Sequence, residues 1–225
     1  HAALAVERDR HVPAAVDPAA FAPAPKAVRA RFGLRADEFV VIQRAALERD
    51  AGIDTAIEVI AVLKRHHRCA ARLLIATDAN EFDPYAAAEV ARLRAIAALA
   101  GVASQLTFID AGPPAALREA YAAADAALVA PTDEGCDASP LEAMACGIPV
   151  IAADVGAMRA LIEDEVTGFL VPAGDFAALG ERLVRFRRNP ELGRAYGRAG
   201  VRRVRAGHTW RHAAAELART YASLL

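Results

Sequence analysis

Short continuous apolar runs alternate with amphipathic segments along most of this chain, and this alternation most constrains its fold. Short, unbroken apolar runs are typical of strands buried on both faces, and apolar residues at helical spacing indicate helices. The predicted strands are 38–44, 72–76, 106–109, 126–129, 149–153 and 168–171. The predicted helices are 53–67, 85–100, 115–123, 139–146, 158–162 and the segments after residue 175, with breaks near 189 and 207. Strands separated by helices predict an α/β fold with a doubly wound, mostly parallel Rossmann-like sheet.

The composition of the chain narrows its class. Apolar residues make up 55% and charged residues 24% of the 225 residues, which is typical of a soluble globular protein. The formal net charge of −1 provides no overall field that would favour nucleic acid. The three cysteines show no CxxC spacing, so neither a disulfide framework nor a zinc site is predicted, and the cytoplasm is the expected compartment.

The chain divides into three predicted parts. Residues 1–26 contain four prolines and little periodicity, which indicates a linker or extended arm. Residues 27–207 form the predicted Rossmann-like domain, and residues 208–225 form a C-terminal helix. The basic residues Arg198, Arg202, Arg203 and Arg205 are expected on a solvated helix face; contact with the inner face of a membrane is the alternative.

Two carboxylates, Glu134 and Glu142, bracket a loop of small residues between the fourth predicted strand and a helix. Ser139 is the predicted N-cap of that helix, Pro140 suits its first position, and Glu142 follows three residues after the cap. Open α/β sheets bind phosphorylated ligands at such places, on backbone N–H groups at the positive end of a helix. A simple capping box, with Glu142 returning a hydrogen bond to the Ser139 amide, explains the same residues without a ligand.

The same segment resembles a known enzyme family. Glu134-Gly135, followed by Ser-Pro-Leu-Glu-Ala-Met-Ala-Cys-Gly-Ile-Pro-Val-Ile-Ala from Ser139, resembles the E-x7-E signature of retaining glycosyltransferases of family 4 (group 1). These are nucleotide-sugar enzymes with the two-domain GT-B fold. Gly-Phe-Leu-Val-Pro from Gly168, followed by Asp175, resembles a second stretch of that family. The resemblance covers nearly the whole chain and implies the C-terminal, donor-binding half of such an enzyme, inactive without its N-terminal acceptor domain.

The resemblance also implies roles for individual residues. Arg44 matches a cation that stabilises the leaving diphosphate, and Arg49 stands where the family has a Lys with the same task. Glu134 would contact the transferred sugar and balance positive charge at its anomeric carbon. Glu142 would accept hydrogen bonds from the ribose hydroxyls. The remaining implied donor-binding residues are Gly135, Cys136 and Asp137 in the sugar pocket, Ser139 and Leu141 at the helix N-terminus, and Thr107 in the strand beside the base.

The predicted function is therefore retaining transfer of a sugar from a UDP-, GDP- or ADP-linked donor. The acceptor, a glycan or a lipid-linked sugar, would be bound by the N-terminal domain. Fixed cations and N–H groups can stabilise the departing diphosphate, so neither a metal nor a cofactor is expected. Nucleic acid is not an expected partner.

Other functions remain open at this point. Gln43 stands where the family has Gly, and Ala160 stands where it commonly has Glu. With Arg49, these departures motivate a degenerate, non-catalytic nucleotide-binding domain, and a nucleotide-sugar epimerase of GT-B fold is a further alternative. A carboxylate pair for glycoside hydrolysis is less favoured, because the helix N-terminus favours the ionised form of Glu142. A dehydrogenase is least favoured, since no G-x-G-x-x-G follows the first strand.

Overall fold

A six-stranded parallel sheet forms the centre of the protein in a computed structural model, which describes residues 14–49, 51–77, 84–130 and 138–223. The strand order is β3-β2-β1-β4-β5-β6, and every neighbouring pair is parallel. The strands are β1 (Phe39–Arg44), β2 (Ala71–Thr77), β3 (Leu106–Asp110), β4 (Ala126–Val129), β5 (Val150–Ala153) and β6 (Gly168–Val171). The chain winds outward from β1 to β3 and returns to β4 on the other side. The doubly wound parallel fold predicted from the sequence is confirmed.

Helices connect the strands and cover both faces of the sheet. They are α1 (Ile53–His67), α2 (Pro84–Leu99), α3 (Pro114–Ala123), α4 (Ser139–Ala145), α5 (Gly156–Leu161), α6 (Phe176–Arg188), α7 (Pro190–Gly207) and α8 (Trp210–Ala222). The prediction did not include the 3₁₀ helices Lys26–Phe32 and Ala103–Gln105. Within the described ranges, no helix has the length and apolar character needed to cross a membrane.

Both faces of the sheet are buried, which explains the unbroken apolar strands. Val40 and Ile42 pack into the hydrophobic cluster of α3, α4 and α5, which we call the first face. Val41 packs into the cluster of α1, α2 and α6, the second face. Successive side chains of a strand point to opposite faces, so Arg44 lies toward the first face and Gln43 toward the second.

The described part of the N-terminal segment packs against the domain. The Val16 amide donates to the His208 carbonyl (3.0 Å), and Val16 forms a parallel β-bridge with Thr209 at the start of α8. Phe21 is buried in the cluster of the first face. These contacts join the segment to the C-terminal helices; the predicted division of the chain at residues 26 and 207 stays a prediction.

Candidate functional site

The candidate site lies at the carboxyl edge of the sheet, between β1 and β4. The strand order reverses between these two strands, because β1 connects outward to β2 and β4 connects outward to β5. Open α/β sheets bind their ligands in the crevice outside the carboxyl ends of the strands at this point. Arg44 ends β1, and α4, the next helix after β4, begins at Ser139. The topology therefore places the predicted phosphate and ribose residues at adjacent strand ends.

Arg44 and Glu142 form the centre of this site. The Nε atom of Arg44 lies 3.7 Å from the Oε2 atom of Glu142. Glu142 is buried, with a relative exposure of 7%, whereas Arg44 is partly exposed. The distance is longer than an N–H···O hydrogen bond, so the two side chains attract each other as charges without a fixed bond. The guanidinium can therefore reorient toward a ligand at the sheet edge while Glu142 stays in place.

Tyr121 on α3 positions Glu142, and sequence reasoning missed this residue. Its side chain is buried, and its hydroxyl donates to Glu142 Oε2 (3.2 Å) and lies 3.4 Å from the Ser139 carbonyl oxygen. The only signal in the sequence is a tyrosine among the alanines of a buried helix face, where its hydroxyl needs a partner. That signal does not identify the partner, because Tyr121 and Glu142 belong to different elements.

The predicted capping box at α4 is wrong in its register. Helix α4 begins at Ser139, and the residue in the N-cap position is Ala138, whose side chain makes no capping hydrogen bond. The Glu142 amide donates to the Ala138 carbonyl (3.0 Å). Proline is tolerated throughout the first turn of a helix, so Pro140 did not fix the helix start. The Glu142 carboxylate lies beside Tyr121 and Arg44.

The other predicted residues lie at varying distances from this centre. Leu141 is fully buried, and its N–H lies in the first turn of α4, where no helical acceptor exists. Arg49 is exposed in the connection between β1 and α1. Thr107 pairs with Leu74, which pairs with Ile42, so Thr107 lies two residues below the level of Arg44 and two strands away. The structure therefore does not bring Thr107 to the Arg44–Glu142 pair. The predicted residues Glu134, Gly135, Cys136 and Asp137 lie outside the described residues.

Metal-ligating side chains do not cluster in the part of the chain that the structure describes. No group of three or more His, Cys, Asp or Glu side chains there could hold a metal ion. The chemistry available among the described residues is that of a cation, a carboxylate and a phenol hydroxyl at a helix N-terminus. Such a set is suited to binding an anion and hydroxyl groups.

These features define a class of α/β domain in which a helix N-terminus and a cation meet at the switch point of a doubly wound sheet. More narrowly, this chain belongs to the family described as "Glycosyl transferases group 1", whose sequence model matches residues 26–203. The predicted family is confirmed. Membership in this family favours a transferase over the epimerase and degenerate-domain alternatives.

Individual relatives agree with this assignment. The D-inositol 3-phosphate glycosyltransferase of Segniliparus rotundus is 33% identical over 216 residues, which is 95% of this chain and 46% of the relative. Among solved structures, sucrose-phosphate synthase from Thermosynechococcus elongatus superposes with a TM-score of 0.83 and 28% identity, over 95% of this chain and 52% of that one. Anabaena HepE, in complex with UDP and glucose, has a TM-score of 0.80 and 21% identity, over 93% of this chain and 55% of that one, and supports the fold alone. The chain spans about half the length of each of these proteins.

Proposed function

We propose that this chain is the donor-binding half of a retaining glycosyltransferase. It would bind a nucleotide-diphosphate sugar, while a separate N-terminal domain would bind the acceptor. The observation that carries this proposal is the pair formed by Arg44 and Glu142, 3.7 Å apart, at the switch point of the sheet. Family membership and the UDP bound to the structural neighbour HepE support it.

Arg44 would stabilise the leaving group. When the bond from the sugar to the diphosphate breaks, negative charge grows on the phosphate oxygens, and a cation held beside them in the complex lowers the barrier. An Arg guanidinium can hold a phosphate through two parallel hydrogen bonds. Because Arg44 is partly exposed and has no fixed bond to Glu142, it can turn to the diphosphate without losing a strong internal contact.

Glu142 would bind the ribose of the nucleotide. An ionised carboxylate only accepts hydrogen bonds, and its two oxygens accept about four of them. Glu142 can therefore hold the Tyr121 hydroxyl and the ribose hydroxyls at the same time. Tyr121 fixes the orientation of the carboxylate before the ligand arrives, which lowers the entropic cost of binding.

The remaining predicted residues complete the proposal. Glu134 would contact the transferred sugar, Arg49 would add a second cation at the diphosphate, and the Leu141 amide would meet the distal phosphate. Residues 135–137 would line the sugar pocket, Ser139 would lie at the helix N-terminus, and Thr107 would lie beside the base. The reaction would need no metal and would retain the anomeric configuration, with the leaving phosphate helping to deprotonate the acceptor. Alone, the chain would bind nucleotide but transfer sugar slowly, since no acceptor is positioned.

The surroundings of the whole protein follow from the same proposal. We expect a cytoplasmic enzyme that contacts the inner face of the membrane if its acceptor is a lipid-linked sugar. The name of the Segniliparus relative makes D-inositol 3-phosphate an acceptor to test with the full-length protein. UDP is the first nucleotide to test, because HepE binds it.

Calorimetric titration with UDP, GDP and ADP in the presence of a chelator tests this proposal. We expect one nucleotide to bind without metal and Glu142→Gln to weaken it by about tenfold to a hundredfold, because hydrogen bonds to a carboxylate are worth about 1.5–3 kcal/mol. Glu89→Gln is the matched control. Glu89 is as buried as Glu142 (8% against 7%) and also pairs with an arginine, Arg92, but it lies on α2, on the second face.

Two outcomes would contradict the proposal. If none of the three nucleotides binds to this chain or to the full-length protein, the chain has no donor site. If Glu142→Gln and Glu89→Gln weaken binding equally, the loss comes from a buried carboxylate in general and Glu142 does not contact the ribose. Arg44→Gln distinguishes the phosphate contribution, since it should weaken UDP binding but leave uridine binding unchanged.

A further inference from the structure

Gln43 is a buried polar side chain that the proposed function leaves unused. It precedes Arg44 at the end of β1, has a relative exposure of 2%, and lies toward the second face, whose buried cluster is apolar. Its Nε2 donates to the carbonyl oxygen of Ala51 (2.9 Å). Its Oε1 is buried and has no hydrogen-bond partner among the described residues. A buried, unpaired amide oxygen costs stability, so packing alone does not explain a glutamine here.

The hydrogen bond of Gln43 anchors the connection between β1 and α1. Ala51 directly precedes Gly52, which has a φ of +73° and leads into α1. The Ala51 amide also donates to the Glu48 carbonyl (3.3 Å), which closes a turn around Arg49. The last residue of this turn is therefore held from both sides, by the turn itself and by the Gln43 side chain.

We propose that Gln43 is a positioning residue for the donor diphosphate, acting through Arg49. By tying Ala51 to the end of β1, it fixes the turn that carries Arg49 relative to Arg44, the next residue of the strand. A guanidinium that binds phosphate through two parallel bonds needs a defined approach, so an arginine on a loose loop would contribute less. This inference rests on the proposed function, since it assigns the diphosphate as the ligand of both arginines.

The loop contact can be tested without a ligand. We expect Gln43→Met, which keeps the size of the side chain but has neither donor nor acceptor, to speed tryptic cleavage after Arg49. Its midpoint in urea should change little, because removal of the buried, unpaired oxygen offsets most of the loss of the hydrogen bond. Gln105→Met is the matched control: Gln105 donates to the Ala71 carbonyl (2.8 Å) and has an equally unpaired, buried Oε1, but it lies at the amino edge of the sheet. It should leave cleavage after Arg49 unchanged.

A double-mutant cycle tests the link to the diphosphate. UDP is titrated into the wild type, Gln43→Met, Arg49→Gln and the double variant. Each single change should weaken binding by about threefold to tenfold. The double variant should bind as Arg49→Gln does, because Gln43 acts only through Arg49.

Three results would overturn the inference while leaving the proposed function intact. If the double variant loses UDP affinity by the product of the two single-variant factors, Gln43 acts independently of Arg49. Equal losses in Gln43→Met and Gln105→Met would mean a general effect of removing a buried amide. Unchanged cleavage after Arg49 in Gln43→Met would mean that the side chain does not hold the loop. If the wild type binds no nucleoside diphosphate, the proposed function fails and the phosphate role of Gln43 fails with it, whereas the digestion still decides whether Gln43 anchors the loop.

Discussion

Gly197 on α7 is a position where the fold has no room for a side chain. A Cβ atom there would lie 2.0 Å from the carbonyl oxygen of Gly147, in the turn after α4. One turn further along the same face of α7, a Cβ at Gly200 would lie 3.0 Å from the Cβ of Met144 on α4. Helix α7 therefore packs directly against the backbone that ends α4, the helix that carries Glu142.

The cost of Gly197→Ala follows from this geometry. Contact is made with backbone atoms, which cannot rotate away, so α7 or the turn after α4 must move by about an ångström. Overpacking of this kind costs about 1–3 kcal/mol, and more where backbone is displaced. The higher helix propensity of alanine relative to glycine offsets up to about 1 kcal/mol of this loss. We expect a net loss of about 2 kcal/mol or more. Gly207→Ala, at the end of the same helix, meets no atom within 4 Å and should be neutral or stabilising by up to about 1 kcal/mol.

Urea denaturation followed by far-UV circular dichroism measures both variants, and UDP titration below the unfolding transition measures the effect on the site. Gly197→Ala should lower the urea midpoint and weaken UDP binding, because the shift of α7 is transmitted to α4 and Glu142. Gly207→Ala should neither lower the urea midpoint nor weaken UDP binding. An unchanged midpoint for Gly197→Ala would refute the close approach of the two helices. A lower midpoint with unchanged UDP affinity would refute the transmission to Glu142.

Three further predictions concern burial. Arg29 is buried, and its guanidinium donates to the carbonyl oxygens of residues 123, 36 and 38 and to the carboxylate of residue 125. Arg29→Met should therefore lower the free energy of unfolding, measured by urea denaturation, by about 3 kcal/mol. Arg31→Ala, on the exposed side of the same 3₁₀ helix, should lower it by less than about 1 kcal/mol. Burial lowers the pKa of His208 in the folded protein, whereas in the unfolded chain this side chain has a pKa of about 6.5, so the unfolded chain takes up the proton first as the pH falls. Stability should therefore decrease as the pH drops below about 6.5. His208→Gln should make the decrease in urea midpoints between about pH 7 and 5 less steep. Burial raises the pKa of the Cys146 thiol to about 12. In a variant whose other two cysteines are replaced by serine, a thiol reagent at about pH 8 should therefore react with Cys146 only when the protein unfolds. Rapid labelling of the folded protein would contradict the burial of this thiol.

Much of the fold could be predicted from local patterns. The predicted bounds of α1, β4 and β6 are those observed, because strands buried on both faces are continuously apolar and α1 has a clear helical period. The 3₁₀ helix Lys26–Phe32 was not predicted, since its buried residue is Arg29, a charge that no hydrophobic pattern indicates. Its burial depends on carbonyl oxygens and a carboxylate that the rest of the chain supplies.

The candidate site was predictable only in part, and for a related reason. The resemblance indicated Arg44 and Glu142, and the rule that ligands bind at strand carboxyl ends placed them on one edge. Their separation of 3.7 Å depends on the pairing of β1 with β4, which no local pattern determines. Tyr121 was missed because its hydroxyl partner is remote in sequence, and the cap of α4 was misplaced because proline fits several positions of a first turn.

The register of β1 connects the two halves of the proposed diphosphate site. The Arg44 side chain lies on the first face, beside Glu142, and the Gln43 side chain lies on the second face, where it donates to the Ala51 carbonyl. A shift of the β1 register by one residue would place each of these side chains on the opposite face. The register is supported at the opposite end of the sheet, where Asp125, just before β4, accepts from the Val40 amide (2.8 Å) and donates its own amide to the Val40 carbonyl (2.7 Å). Together with the ladders to β2 and β4, this contact sets which side chains of β1 reach the carboxyl edge. The proposed binding residues therefore depend in part on Asp125, a carboxylate ion-paired with Arg29 near the opposite end of β1, so a residue remote from the ligand can contribute to this site.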